Sequence, residues 1–325
     1  MTLTELKYIV AVAREKHFGR AADACHVSQP TLSVAIKKLE DELDVKLFER
    51  SATEVSVTAL GQEIVRQAQS VLEQAAAIRE IARRGKDPLA GPLRLGVIYT
   101  IAPYLLPALV REAIRRTPQM PLMLQENFTV KLLEMLRNGD IDCAIVAEPF
   151  PDAGLAIAPL YDEPFMAALP AQHPLAGQAS ITAEQLKQET MLLLGSGHCF
   201  RDHVLEVCPE FARFSSDAEG IRKSFEGSSL ETIKHMVAAG MGVTLVPRLG
   251  VPPEALREPP TRTKKGARSD DELVRYLPIT DAQGGPPPMR RVVLAWRRSF
   301  TRYEAIAALR NAVYACKLDG VQLLT

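Results

Sequence analysis

Residues 20–40 read RAADACHVSQPTLSVAIKKLE, and this stretch decides the fold of the N-terminal third. The alanine-rich run Arg20 to Cys25 is a short helix, and His26-Val27-Ser28 is a tight turn. Ser28 is a good N-cap, and Pro30 sits in the first turn of the next helix, where a missing N–H costs nothing. That helix runs to about Leu43, with Leu32, Ala35, Ile36, Leu39 and Leu43 facing a core. Two short helices joined by a tight turn make a helix-turn-helix, whose second helix enters a DNA major groove by its N-terminal end. Ser28, Gln29, Pro30, Thr31 and Ser33 occupy that end, and Lys37 and Lys38 follow on the outer face. Such side chains bond base edges or phosphates, although each alone is also an ordinary solvated residue.

The flanking residues extend this unit. Leu6, Ile9, Val10 and Ala13 stand at helical spacing in residues 4–15, and His17-Phe18-Gly19 interrupts before the Arg20 helix. Downstream, Lys46 to Arg50 and Glu54 to Thr58 alternate like a small hairpin, a wing from which Arg50 reaches phosphate or the minor groove. From Thr58 one long helix runs to about Arg84, striped by Ile64, Ala68, Val71, Leu72, Ala75, Ile78 and Ala82. Standing away from a globular core, that stripe is expected to pair with the same helix of a second chain. Gly85-Lys86-Asp87-Pro88 ends it.

Composition bounds the rest. The 325 residues, 47% hydrophobic and 24% charged, suffice for two or three globular domains. The net charge is zero, and residues 1–86 carry 13 Lys and Arg against 12 Asp and Glu. DNA binding must therefore rest on local placement of positive charge. No apolar run of 18 residues and no secretory signal is present, so a cytoplasmic protein is expected. Five scattered cysteines argue against a structural disulfide framework.

Ala21-Ala22, Val27 to Ser33, Ile36 to Glu40, Leu43, Leu47 to Arg50 and Val57 to Gly61 together resemble the LysR-type transcriptional regulators. The resemblance implies a DNA-binding dimer or dimer of dimers that reads an interrupted palindrome and engages RNA polymerase. The expected organisation is a winged helix over 1–58, a linker and dimerisation helix over 59–88 and a regulatory domain over 89–325. That last domain is expected to have two periplasmic-binding-protein-like (Rossmann-like) α/β lobes, about 89–163 with 280–325, and about 164–279.

The residues beyond 89 fit that division. Strand-like runs at 93–98, 120–125, 143–146, 165–169, 191–194 and 243–246 alternate with helical stretches at 103–117, 130–138, 183–188 and 230–239. The alternation predicts parallel sheets covered on both faces. Ligands in such sheets bind beyond the carboxyl ends of strands, where Thr100, Thr129 and the Gly195-to-Cys199 turn fall. Residues 252–273, rich in proline and charge, read as an exposed loop.

Gly197-His198-Cys199 to Cys208 is the remaining motif. On a helix the two Cα atoms would stand roughly 13 Å apart along the axis, whereas a disulfide tolerates about 7 Å. The thiols bond only if the segment refolds. Plain burial is the simpler reading, and a metal site using Cys199, His203 and Cys208 is another. Within the LysR family, Thr100, Thr129, Gly197-His198-Cys199, Cys208, Gly91 to Leu93 and Pro103 to Pro107 resemble the hydrogen-peroxide-sensing members. That resemblance implies redox-active Cys199 and Cys208, peroxide held by Thr100, Thr129, Gly197 and His198, and an activating arginine at Arg290, with Arg291 the neighbouring alternative. It also implies a thiol–disulfide reductant to reset the pair, with no cofactor or metal. Cys25, Cys143 and Cys316 read as packing. An organic-effector regulator of the same family and a thiol peroxidase enzyme are the competing readings.

Overall fold

The computed structural model describes residues 1–50, 55–84, 87, 89–209, 224–227, 229–256, 273–281 and 285–325. The first unit holds α1 (Leu3–Glu15), α2 (Phe18–Ala24), α3 (Gln29–Leu43), β1 (Phe48–Arg50), β2 (Val55–Val57) and α4 (Ala59–Arg84). Thr2 caps α1 in a reciprocal box with Glu5. Helix α2 begins two residues earlier than the sequence suggests, because His17 is its N-cap. The His17 Nδ1 accepts from the amides of Gly19 and Arg20 at 3.0 and 3.2 Å. Ser28 caps α3 as expected, accepting from the Thr31 amide at 3.3 Å. Leu32, Ile36 and Leu39 are buried, while Leu43 is 37% exposed, a correction to the expected core face. Glu40 is buried instead, and its carboxylate accepts from the amides of Leu47 and Phe48. That clamp fixes the entry into the antiparallel hairpin β1–β2, the wing.

Helix α4 does not stand free along its whole length. Its first half packs on α1, and Ile64, Ala68, Val71 and Leu72 belong to the core of the first unit. Ile78 and Ala82 are exposed, so the unpaired part of the stripe is confined to the far end. Glu73 and Gln74 on α4 meet the following domain. Glu73 pairs with Arg297 at 2.6 Å and accepts from the Ser299 hydroxyl at 2.8 Å. Gln74 donates to the Ser299 carbonyl.

The remainder has two cores. The elements are β3 (Leu93–Ile98), α5 (Ala102–Arg116), β4 (Leu122–Asn127), α6 (Thr129–Asn138), β5 (Cys143–Ala147), β6 (Leu155–Pro170), β7 (Ile181–Thr182), α7 (Ala183–Leu186), β8 (Met191–Leu194), α8 (Cys199–Val207), β9 (Ser224–Gly227), α9 (Leu230–Ala238), β10 (Thr244–Pro247), β11 (Val274–Thr280), β12 (Met289–Arg297), α10 (Tyr303–Tyr314) and β13 (Gln322–Leu323). The main sheet runs in the order β4-β3-β5-β12-β6-β11-β7, with β10 and β13 also on β6. Strand β3 is parallel to β4 and β5, as expected.

The sheet is mixed, however, not parallel throughout. β12 is antiparallel to both β5 and β6, and β10 and β11 are antiparallel to β6. The expected strand at 165–169 is the far end of the 16-residue β6. Pro159 and Pro164 disguise its length in the sequence. Pro159 falls where the pairing with β12 shifts register, and Pro164 faces Met289 at the end of β12, two places where a missing amide is tolerated. Strand β6 threads both cores, with Leu155, Leu160 and Tyr161 in the first and Phe165 to Leu169 in the second. Residue Glu163 lies at the crossing, fully buried.

Candidate functional site

Three loop ends meet above the first core. Thr100 lies in the turn after β3, Thr129 opens α6 after β4, and Gly195 to His198 link β8 to α8. Thr100, Thr129, Gly197 and His198, with Ile98, Tyr99, Asn127, Phe128 and Cys199, line a cavity of about 10 Å³, room for roughly one water-sized molecule. Gly197 has φ +98°, a conformation that disfavours a side chain, and it lies in ordinary contact distance of the Phe128 ring. The glycine thus lets the loop turn close under an aromatic cover. His198 is buried and its ring meets Phe128 edge to face at 4.7 Å, while Tyr99 meets Phe128 at 5.2 Å.

Cys199 is the first residue of α8 and is half-buried at the cavity wall. Burial pushes its thiol above the ordinary range, while the Thr129 hydroxyl and the Arg290 charge pull it down. Thr129 Oγ1 is buried and finds no regular hydrogen-bond partner among the described residues, so it is held for the sulfur or for something bound beside it.

Arg290, on β12, is the buried charge behind this cavity. Its Nη1 donates to Thr100 Oγ1 at 2.9 Å and its Nη2 to the Thr100 carbonyl at 3.0 Å. Its Nε donates to Glu163 Oε2 at 2.9 Å. The guanidinium also stacks on the Phe200 ring at 5.2 Å, and Phe200 meets Phe165 edge to face. Glu163 accepts a further bond from the Leu249 amide. The pair is 1% and 0% exposed, so each charge needs the other. Because Thr100 Oγ1 accepts from Arg290, its own proton is left to donate elsewhere. Of the two arginines considered in the sequence, Arg291 turns outward and forks onto Asp162.

Cys208 lies at the other end of α8. Its amide caps the helix on the Val204 carbonyl, and its side chain is fully buried in the second core with Phe200 and Val204. Neither cysteine is in a disulfide. Between them α8 is regular, so closing a disulfide requires this helix to open. No group of three His, Cys, Asp or Glu suited to a metal occurs among the described residues. Cys143 and Cys316 are buried, and burial lifts the Cys316 thiol to about 11.

The second candidate surface is on α3. Ser28, Gln29, Pro30, Thr31, Lys37 and Lys38 are exposed and Ser33 is half-buried. Ser28 and Thr31 bond each other through their hydroxyls at 2.8 Å. Val34, 69% exposed between Thr31 and Lys37, also belongs to this surface. Residue Arg50 ends β1, and its side chain lies outside the described residues, as does most of the 252–273 stretch. Glu163, Phe200 and Phe128 were not singled out in the sequence. Nothing local in the sequence marks Glu163, which lies between Asp162 and Pro164.

Known proteins resemble the chain along its whole length. The family model "Bacterial regulatory helix-turn-helix protein, lysR family" matches residues 3–62, and "LysR substrate binding domain" matches residues 86–315. The DNA-binding transcriptional dual regulator OxyR of Escherichia coli K12 is 39% identical over 323 residues, 98% of this chain and 97% of that one. The hydrogen peroxide-inducible genes activator of Haemophilus influenzae is 37% identical over 325 residues, 99% of this chain and 100% of that one. Among solved structures, full-length OxyR C199D of Pseudomonas aeruginosa matches with TM-score 0.73 and 48% identity, covering 98% of this chain and 96% of that one. A hydrogen-peroxide-bound mutant of Corynebacterium glutamicum OxyR matches with TM-score 0.60 and 33% identity, covering 96% and 91%. No helix among the described residues is long and apolar enough to cross a membrane.

Proposed function

The chain belongs to the LysR family of bacterial regulatory proteins, and on that premise we propose that it is a transcription regulator switched by hydrogen peroxide. One observation carries the reading: a cysteine at the wall of a water-sized cavity, facing the Thr129 hydroxyl and backed by a buried arginine. With room for roughly one water-sized molecule, the cavity suits a small oxidant and not a metabolite.

The chemistry follows from the geometry. Peroxide enters between Thr100, Thr129, Gly197 and His198. The Cys199 thiolate attacks one oxygen, an S–O bond forms and the O–O bond breaks. Sulfur is oxidised by two electrons, peroxide is reduced, and the departing hydroxide takes a proton and leaves as water. Thr100 and Thr129 hold the oxygens in line, while Arg290 stabilises the thiolate. The resulting Cys199 sulfenic acid then condenses with the Cys208 thiol, forming the disulfide and releasing a second water. Because α8 must open, Phe200 and Val204 leave the second core and its surface changes.

The readout is DNA. Ser28, Gln29, Pro30, Thr31, Ser33, Lys37, Lys38 and Arg50 contact an interrupted palindrome as a homodimer or homotetramer in the cytoplasm. The oxidised form engages RNA polymerase, and a thiol–disulfide reductant system resets the pair. The winged-helix domain ends near residue 58 and the linker and dimerisation segment near 88, and the chain acts by binding, not turnover. The test is peroxide titration of the anaerobically reduced protein, with peptide mass mapping of the Cys199–Cys208 link and footprinting on the same samples. Disulfide near one equivalent with a shifted footprint is the expected result. A Cys199 that stays a thiol, or a footprint blind to its oxidation, overturns the reading.

A further inference from the structure

Helix α8 carries a histidine midway between its two cysteines, and nothing in the peroxide chemistry uses it. His203 is 4% exposed, wedged against Phe165 and Phe200 with ring centroids 6.0 and 6.4 Å away. Its Nε2 lies 2.7 Å from the Glu148 carbonyl. A carbonyl only accepts, so Nε2 carries the ring proton. Nδ1 is then a bare acceptor, and no hydrogen-bond partner reaches it among the described residues. Residue Glu148 follows β5 and is itself tied to β12, its amide donating to the Arg291 carbonyl at 3.0 Å. The bond therefore spans from a helix of the second core to the sheet of the first.

We propose that His203 is a positioning residue for the switch, a proton-sensitive fastener that holds α8 helical in the reduced chain and releases it when the ring is protonated. The fastening rests on geometry: the hydrogen bond from the ring joins the bistable helix to the opposite lobe, in a dry site. Protonation would add a charge and leave an Nδ1–H without an acceptor. The groups facing the ring set the direction. Burial lowers its pKa first, and Arg290 lowers it further, while the Glu148 carbonyl, Glu206 and Asp202 act the other way without overcoming them. An opened α8 returns the ring to water and its ordinary value near 6.5. The opened state therefore binds more protons, and it gains population as pH falls below about 6.5, down to the lowered value in the helix.

The proposal rests on the peroxide reading for its purpose, but its test does not. Cys208 is sealed in the second core, so alkylation by N-ethylmaleimide reports opening of α8 in the reduced full-length protein. Three chains are compared: the native one, His203→Gln, which keeps a donor for Glu148 but cannot titrate, and His203→Phe, which keeps the ring packing and loses the bond. Cys208 ionisation is common to all, so the ratio of rates isolates the histidine. The His203→Phe variant is expected to raise Cys208 alkylation at pH 7.5 at least tenfold. The native-to-Gln ratio is expected to climb severalfold between pH 7.5 and 5.5, towards a ceiling of about tenfold set by an ordinary histidine. A flat ratio, or native alkylation rates in His203→Phe, overturns the proposal. The same samples treated with peroxide separate the two claims: if Cys199 stays a thiol while the ratio behaves as expected, the peroxide reading fails and the fastener stands.

Discussion

The two cysteines of α8 live in opposite surroundings although one short helix joins them. Cys199 faces a cavity with two threonines at its wall and a buried guanidinium behind it. Cys208 faces Phe200, Val204 and the aliphatic side chains of the second core, with no exposed surface. The first environment opens onto a small cavity, and although burial raises its thiol, the Thr129 hydroxyl and the Arg290 charge pull it back towards the thiolate. The second is dry and keeps a thiol inert until the helix opens. Their difference teaches that the order of events is built into the fold: one sulfur can be oxidised in place, and the other can only respond.

The sharpest way to break that comparison is to exchange the sulfurs one at a time. Replacing Cys199 by serine is expected to abolish both disulfide formation and the peroxide-dependent footprint. Replacing Cys208 by alanine is expected to leave the first oxidation within about twofold of native, because Cys208 contributes nothing to the cavity. Sulfenic acid would then accumulate, trapped by dimedone and seen as a mass shift on the Cys199 peptide. The cost to folding is small, about 1–2 kcal/mol for trimming one buried sulfur. Equal loss of the first step in both variants would erase the asymmetry between the two cysteines.

The Arg290 guanidinium comes next in size. Arg290→Met removes the charge that pulls the Cys199 thiol down, so the pKa moves further up. The pH dependence of oxidation, read by stopped-flow loss of thiol, should shift to higher pH, and at neutral pH the rate should fall by at least about tenfold, the effect of one pKa unit. The same change strands Glu163, buried and uncompensated, at a cost of about 3–5 kcal/mol in denaturant unfolding. Adding Glu163→Leu should restore most of that stability without restoring the rate. Recovery of both together would mean the arginine acts only by packing.

How much of this was legible in the sequence differs between the two ends of the chain. The helix-turn-helix could be read from Ser28, Pro30 and the Leu32–Ile36–Leu39 spacing, because capping and periodicity are local signals. The polar loop ends at Thr100, Thr129 and Gly197 could be placed by strand-end logic, and their meeting in one cavity is a consequence of sheet order. Arg290 came from resemblance, and its orientation follows from the alternation along β12 that sends Arg291 to Asp162. The rest depended on distant partners. Glu163 is an ordinary glutamate in sequence and becomes a buried counter-ion only where β6 crosses from one core to the other. His17 is an unusual N-cap, so α2 started earlier than expected. Pro159 and Pro164 hid a strand through both lobes, because the sites where proline is tolerated are set by register with β12.

The smallest expected effect concerns access, not reactivity, and it tests whether the polar environment of Cys199 is closed to all but small oxidants. Phe128 covers the cavity through its contacts with Tyr99, His198 and the Gly197 turn. It is 36% exposed, so the second core loses nothing if it is trimmed. Phe128→Ala should leave oxidation by hydrogen peroxide within a few-fold of native, since Thr100, Thr129 and Arg290 remain. It should raise the rate with cumene hydroperoxide, whose aromatic group needs the space the ring fills, by roughly tenfold, as expected for about 1.4 kcal/mol of relieved overlap. Competition between the two oxidants on one sample reads the ratio directly. An unchanged ratio would mean that selectivity lies deeper, at the threonines themselves, and that the difference between the two cysteines is one of electrostatics alone.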